Sequence, residues 1–189
     1  MTAILDELSV WDKKITRKIA ANSSKQMKLA SFFAISGNAP QWFIMSFMFF
    51  IFDLFMSRNV NLLQMSLAAA CGLTTSMIKF LTRRKRPNEI LAKSYAVDID
   101  NWSFPSGHAG RMFSLAITLT LFYPRVGWVF LIWAIAVCYG RIALQIHWFL
   151  DIVGGATIGI IWAVIGYILR EKFFVLFTPI SEWFPQILK

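Results

Sequence analysis

From residue 40 onward the chain alternates long apolar runs with short polar breaks, the pattern of repeated bilayer crossings. The runs predict spans over about 40–57, Val60–Phe80, Ser106–Phe122, Val126–Leu144 and Leu150–Leu169, each near the roughly 20 residues a bilayer requires. Pro40 falls near the first turn of the first span, and Asp53 lies close enough to its far end to reach the interface. Short connections at 57–59 and 123–125 make neighbouring spans antiparallel, whereas the one long connection, 83–104, is polar and charged, as a functional loop would be. Upstream, Ile4, Leu5, Leu8, Trp11, Ile15 and Ile19 recur at helical spacing, with Lys13, Lys14, Arg17 and Lys18 largely off that stripe. This predicts a basic amphipathic helix lying flat in the headgroup region. The run Leu29–Ile35 is too brief to span, and Gly37, Asn38 and Pro40 break the chain after it. Phe173–Lys189, with Trp183 and Phe184, reads as interfacial. The expected architecture is all-α: a polytopic membrane helix bundle of about five transmembrane helices. It forms one domain, with an interfacial arm (1–38), the bundle (40–170) and an interfacial tail (171–189).

Composition narrows the function. Of 189 residues 57% are hydrophobic, and the mean hydropathy is +0.58, well above that of an ordinary soluble domain. The net charge of +9, from 19 Lys and Arg against 10 Asp and Glu, would suit nucleic acid or anionic lipid. With so little soluble chain, the lipid bilayer is the expected partner and nucleic acid is not. Cys71 and Cys138 fall inside apolar runs and read as packing residues. Asp6 and Glu7 precede any apolar run, unlike a cleavable signal peptide. Nothing in the sequence sets an oligomeric state.

Ionisable residues near spans are costly and are usually kept for function. The chain has two histidines, His108 and His147. His147 precedes Asp151 by four residues, so a helix beginning near His147 would let the carboxylate hold one ring nitrogen and leave the other as nucleophile or base; a satisfied structural pair is the alternative. His108 follows Pro105, Ser106 and Gly107, a tight turn opening a helix, with Ser106 as N-cap and first-turn N–H groups offered to an anion. The alternative there is a capped helix with an incidental interfacial His. Lys79 and Arg86, seven residues apart before Pro87, share a face if their helix continues that far. Arg83, Arg84 and Lys85 read as topology-fixing loop charges, and Arg111 as a residue that touches a headgroup or only snorkels. Two His and one Asp from separate helix ends are too few for a metal site. With five spans, Lys79, Arg86, His108, Arg141, His147 and Asp151 all fall at one membrane face, although the spans were drawn from hydropathy alone.

Taken together these stretches resemble the type 2 phosphatidic acid phosphatase superfamily of membrane lipid phosphatases. The family's pattern is Lys-x6-Arg-Pro, then Pro-Ser-Gly-His, then Ser-Arg-x5-His-x3-Asp. Here it reads Lys79…Arg86-Pro87, Pro105-Ser106-Gly107-His108 and Gly140-Arg141…His147…Asp151, with Gly140 in place of the usual serine. The resemblance implies that His147 attacks phosphorus to form a phosphohistidine, Asp151 orients it, and His108 protonates the leaving oxygen and then helps activate water. It implies that Lys79, Arg86, Ser106, Gly107 and Arg141 grip the phosphate oxygens. No metal or other cofactor is expected, since fixed cations can stabilise the equatorial oxygens. Catalysis that survives chelators and a bell-shaped pH profile follow.

The expected function is hydrolysis of a lipid phosphomonoester or diphosphate in a prokaryotic cytoplasmic membrane. Compact prokaryotic members suggest polyprenyl diphosphate, phosphatidylglycerol phosphate or phosphatidic acid as substrate. Two alternatives are a non-catalytic lipid-phosphate binder or transporter using the same cationic mouth, and the family's soluble vanadate-holding branch, which the spans disfavour. Sidedness stays open. Lys13, Lys14, Arg17, Lys18, Lys25, Lys28 and the 83–93 cations share the mouth's face, against Arg58, Arg125, Arg170, Lys172 and Lys189 opposite. The positive-inside rule therefore favours a cytoplasmic mouth, whereas bacterial relatives of this kind more often look outward.

Overall fold

A computed structural model of the chain describes residues 2–38, 60–95 and 102–187, with positions 41, 44, 46–48 and 51. Seven helices are present among them: α1 (Thr2–Ile19), α2 (Ser24–Ser36), α3 (Val60–Thr82), α4 (Glu89–Tyr95), α5 (Gly107–Phe122), α6 (Pro124–Ala143) and α7 (Phe149–Ile187). The first predicted span, 40–57, including Pro40 and Asp53, lies mostly outside the described residues, and its described positions are helical. The other four spans appear as α3, α5, α6 and the first part of α7. Val60–Thr82, Pro124–Ala143 and Phe149–Leu176 are each long and apolar enough to cross a membrane. Helix α5 has 16 residues, about 24 Å of rise. It is the innermost helix, packed against α3, α6 and α7.

The exterior is far more apolar than that of a soluble protein, and polar side chains are found inside. Gln64, Thr75, Ser114 and Thr118 are buried between helices, whereas Leu73, Phe80, Leu81, Ile132, Ile168 and Val175 point outward. An apolar exterior of this extent suits lipid rather than water. The interior core joins Ala68 of α3, Met112, Leu115 and Leu119 of α5, and Ala134 and Val137 of α6.

Two helices approach unusually closely. A Cβ at Gly155 of α7 would lie 2.1 Å from the Ser106 carbonyl oxygen, and one at Gly159 would lie 2.1 Å from that of Gly110 on α5. Small residues spaced by four let membrane helices come together where apolar association alone is weak. The contact is sealed at its polar end by the Ser106 N–H, which donates to the Asp151 carbonyl at 2.9 Å. The first turns of α5 and α7 are thereby fixed side by side.

Three local expectations change. Helix α3 stops at Thr82, and Arg83 takes a left-handed conformation (φ 46°), so Arg86 is delivered by a loop rather than on the face of Lys79. Helix α7 continues through the stretch read as a separate tail: no glycine or proline interrupts 167–178, and the helix carries on past Pro179 and Pro185 to Ile187. Arg170 marks the apolar boundary without breaking the backbone, its guanidinium donating to the Tyr167 carbonyl at 2.7 Å. Helix α1 forms as predicted, but Leu8 and Trp11 of its apolar stripe are exposed while Asp12 and Thr16 are buried against the bundle.

The glycine contacts carry a stability prediction. Gly159→Ala should lower the unfolding free energy in detergent by about 1–3 kcal/mol, the usual cost of overpacking. Gly72→Ala on α3, where a Cβ meets nothing within 4 Å, should be neutral or stabilise by up to about 1 kcal/mol. Denaturant titration of both variants checks the pair.

Candidate active site

The polar residues singled out from the sequence converge at the end of the bundle where α5 and α7 begin. His147 does not lie within a helix. Gln145 adopts a left-handed conformation (φ 53°) after α6, and the Ile146 and His147 amides fold back onto the Arg141 carbonyl at 3.0 and 3.3 Å. Helix α7 then starts at Phe149, with Trp148 in the N-cap position. Asp151, at the third helical position, reaches back so that its Oδ2 accepts the Trp148 N–H at 2.8 Å, one half of a capping box. The same oxygen lies 3.5 Å from His147 Nδ1. At that separation the contact is an ion-pair approach rather than a tight hydrogen bond.

The other face of the imidazole meets a cation. Arg86 Nη1 stands 3.3 Å from His147 Nε2 and 3.4 Å from the Ile146 carbonyl. An anion drawn to Arg86 is therefore drawn to Nε2. The loop carrying Arg86 is pinned from three sides. The Asn88 N–H donates to the Gln145 carbonyl at 3.0 Å, Trp148 Nε1 donates to the Lys85 carbonyl at 2.9 Å, and Ser103 Oγ donates to the Arg84 and Lys85 carbonyls at 3.1 Å.

His108 opens the neighbouring helix, where Ser106 is the N-cap and its Oγ accepts the Ala109 N–H at 3.4 Å. The amides of Gly107 and His108 lie in the first turn, which lacks intrahelical acceptors. His108 is within electrostatic reach of Arg141, Arg111, His147 and Lys79, so four separate elements contribute to one locus. Lys79, Arg86, Ser106, Gly107, His108, Arg141, His147 and Asp151 are all buried. Buried cations are expensive unless an anion accompanies them. Here the buried Lys79, Arg86 and Arg141, joined by the half-buried Arg84 and Arg111, outnumber Asp12 and Asp151, the balance of a site that takes an anion. Among the described residues no three His, Cys, Asp or Glu side chains gather as a metal-ligand set.

Sequence reasoning missed four contributors. Arg84, read as a topology charge, instead donates to Asp151 Oδ1 at 2.7 Å and pairs with Asp12. Asp12 Oδ1 and Thr16 Oγ1 of α1 accept the Leu150 and Phe149 N–H groups at 2.9 and 3.0 Å, capping α7 from outside. Asn38 Oδ1 lies 3.0 Å from His108 Nε2. These contacts span between 67 and 138 positions of sequence, beyond the reach of any local pattern.

The departure at Gly140 has a steric cause. Helix α2 crosses α6 there, and a Cβ would lie 2.6 Å from the Ala30 carbonyl oxygen and 2.8 Å from the Ala34 nitrogen. The usual serine does not fit this helix crossing. Restoring it with Gly140→Ser should lower stability by about 1–3 kcal/mol rather than raise activity, as paired unfolding and activity measurements would show.

With the geometry in place, comparison with known proteins gives its family. The PAP2 superfamily profile matches residues 59–174. A bacitracin transport permease protein, BcrC, of Bacillus licheniformis is 40% identical over 67 residues, 35% of this chain and 32% of that protein. An undecaprenyl-diphosphatase of Sulfolobus acidocaldarius is 32% identical over 84 residues, 43% of this chain and 41% of that protein. Less than half the length of either relative is therefore matched. The fold is shared along more of the chain with a transmembrane PAP2 type phosphatidylglycerolphosphate phosphatase of Bacillus subtilis, at a TM-score of 0.72 and 18% identity over 88% of this chain and 87% of that one. With a family profile spanning more than half of its residues, the chain belongs to the PAP2 superfamily.

Proposed function

We propose that the chain is a multi-pass membrane phosphatase that hydrolyses a lipid phosphomonoester or diphosphate through a phosphohistidine. The observation that carries this reading is the two-sided setting of His147, with Asp151 at Nδ1 and the Arg86 guanidinium at Nε2. A phosphate group held on Arg86, Lys79, Arg141 and the first-turn amides of α5 would present phosphorus to Nε2. The Nε2 lone pair forms the N–P bond while the P–O bond to the lipid breaks, its electrons going to the leaving oxygen. That oxygen takes a proton from His108. Water then attacks phosphorus with His108 as base, the N–P electrons return to Nε2, and inorganic phosphate leaves. Loose phosphoryl transition states need positioning and charge more than covalent help, which the cation cluster would supply.

A lipid substrate is favoured by what adjoins the site. A groove of about 380 Å³ lies between α1, α5, α6 and α7, lined by Ile19, Phe113, Ile142, Phe149, Ile152 and other apolar residues. It runs from Phe149 to Ile160 along α7, about 16 Å of rise, beginning beside the chain neighbours of Arg141 and Asp151, Ile142 and Ile152. A hydrocarbon chain would leave the headgroup at the cations and lie in this groove. Polyprenyl diphosphate and phosphatidylglycerol phosphate are the substrates we favour, in keeping with the names of the relatives, with phosphatidic acid the third candidate.

The arm α1 touches the start of α7, which puts it at the mouth's face, and five spans would carry the far end of α7 to the opposite side. Reporters fused at the two termini should therefore read opposite compartments; the same compartment at both ends would rule out an odd number of crossings.

Activity should depend on His147. In purified protein assayed against a panel of these lipid phosphates, His147→Ala should lower turnover by at least about 10³-fold and retain lipid-phosphate binding, with wild-type turnover unchanged by chelators. Turnover kept by the variant would rule out His147 as the nucleophile, and a wild-type protein that binds lipid phosphate without turning it over would leave the cationic mouth as a binding or transport site only.

A further inference from the structure

Asp12 and Arg84 are charged, sit at the site and occupy none of the fixed positions of the three motifs, Arg84 falling at a variable position between Lys79 and Arg86. Asp12 lies on the interfacial arm yet is fully buried. Its Oδ1 accepts the Leu150 N–H and its Oδ2 pairs with Arg84. The other terminal nitrogen of Arg84 donates to Asp151 Oδ1, and Asp151 Oδ2 faces His147 Nδ1. One chain of contacts thus runs from α1 through the loop to the nucleophile. Arg84 also stacks against Trp148, its guanidinium carbon 5.6 Å from the ring centroid, so the bridge is held in place.

The charges along this chain alternate. An arginine bound directly to Asp151 would drain the negative potential that the imidazole needs on its Nδ1 side. A second carboxylate on the far side of the arginine restores it. We propose that Asp12 is a positioning residue for phosphoryl transfer, a counterweight to Arg84 that keeps Asp151 able to orient His147 and to stabilise the cationic phosphoimidazole. The proposal deepens the phosphohistidine reading and rests on it.

Other groups surround the same imidazole. Arg86 of the loop stands at its Nε2, and His108 of α5 is within electrostatic reach of it and, in turn, of Arg111 of α5, Lys79 of α3 and Arg141 of α6. All of them are unchanged in the variants below, so a displaced pH profile reports the Asp12–Arg84 pair. The acid limb of kcat/KM marks loss of the neutral nucleophile. Asp12→Asn removes the charge and keeps an oxygen for the Leu150 N–H. With less negative charge nearby the imidazolium is less favoured, so the limb should move to lower pH by about half to one unit. Its kcat should fall about tenfold, with KM within about twofold.

Arg84→Gln should move the limb the other way, to higher pH. Thr16→Val, which removes the hydrogen bond to Phe149 without touching charge, should leave the limb in place whatever it does to stability. Thermal unfolding establishes that each variant is folded, and either charge variant decides alone because each carries its own sign. A folded Asp12→Asn protein whose limb stays put or rises, or an Arg84→Gln limb that falls, overturns the counterweight. An inactive wild-type protein would instead count against the phosphatase reading itself.

Discussion

The structure depends on the side-by-side start of α5 and α7. Glycines at 155 and 159 remove the side chains that would hold the helices apart, and the Ser106 amide reaches the Asp151 carbonyl across the gap. Two helix N-termini are thereby brought to one point. Both bring a positive dipole end to the same small volume; α5 offers it the Gly107 and His108 amides, while the first amides of α7 are taken up by Thr16, Asp12 and Asp151. His108 rides on the first turn of one, and Asp151 on the first turn of the other, with His147 just ahead of it. Apolar association between helices is weak in lipid, so close backbone contact is a physically suitable way to fix catalytic distances there.

Electrostatics follows from that geometry. Several cations are buried at the junction, and burying them is tolerable because carboxylates and the C-terminal ends of α3 and α6, whose last turns carry Lys79 and Arg141, compensate part of the charge while an anion is expected to compensate the rest. Asp151 meets three partners at once: it accepts from the Trp148 amide and from Arg84, and it stands 3.5 Å from His147 Nδ1. Its role in starting α7 and its approach to the imidazole are one arrangement. The N-terminal arm takes part through Asp12 and Thr16, so an element whose apolar residues face the membrane boundary also caps the helix that follows the nucleophile.

The helical architecture was largely legible in the sequence, because apolar runs bounded by Pro, Gly and charged residues report spans directly. The ends of α3, α5 and α6 fall within two residues of expectation. The gathering of Lys79, Arg86, His108, Arg141, His147 and Asp151 was legible too, since span parity alone puts them at one face. What was not legible is tertiary. Arg84 looked like any loop cation, and Asp12 like a solvated acid on a basic helix, until long-range contacts paired them. The continuation of α7 past Arg170 was hidden because charge marks a membrane boundary without ending a helix. The steric reason for Gly140 needed α2 in place.

The central claim is that phosphorus is transferred to His147. The most direct measurement is rapid acid-free quenching of the purified protein during turnover, followed by mass spectrometry of its peptides. The account predicts an added phosphoryl group, labile to acid, on the peptide containing His147 and absent from the His147→Ala variant. Steady hydrolysis with no phosphorylated intermediate, or a phosphoryl group carried by another residue, would contradict it.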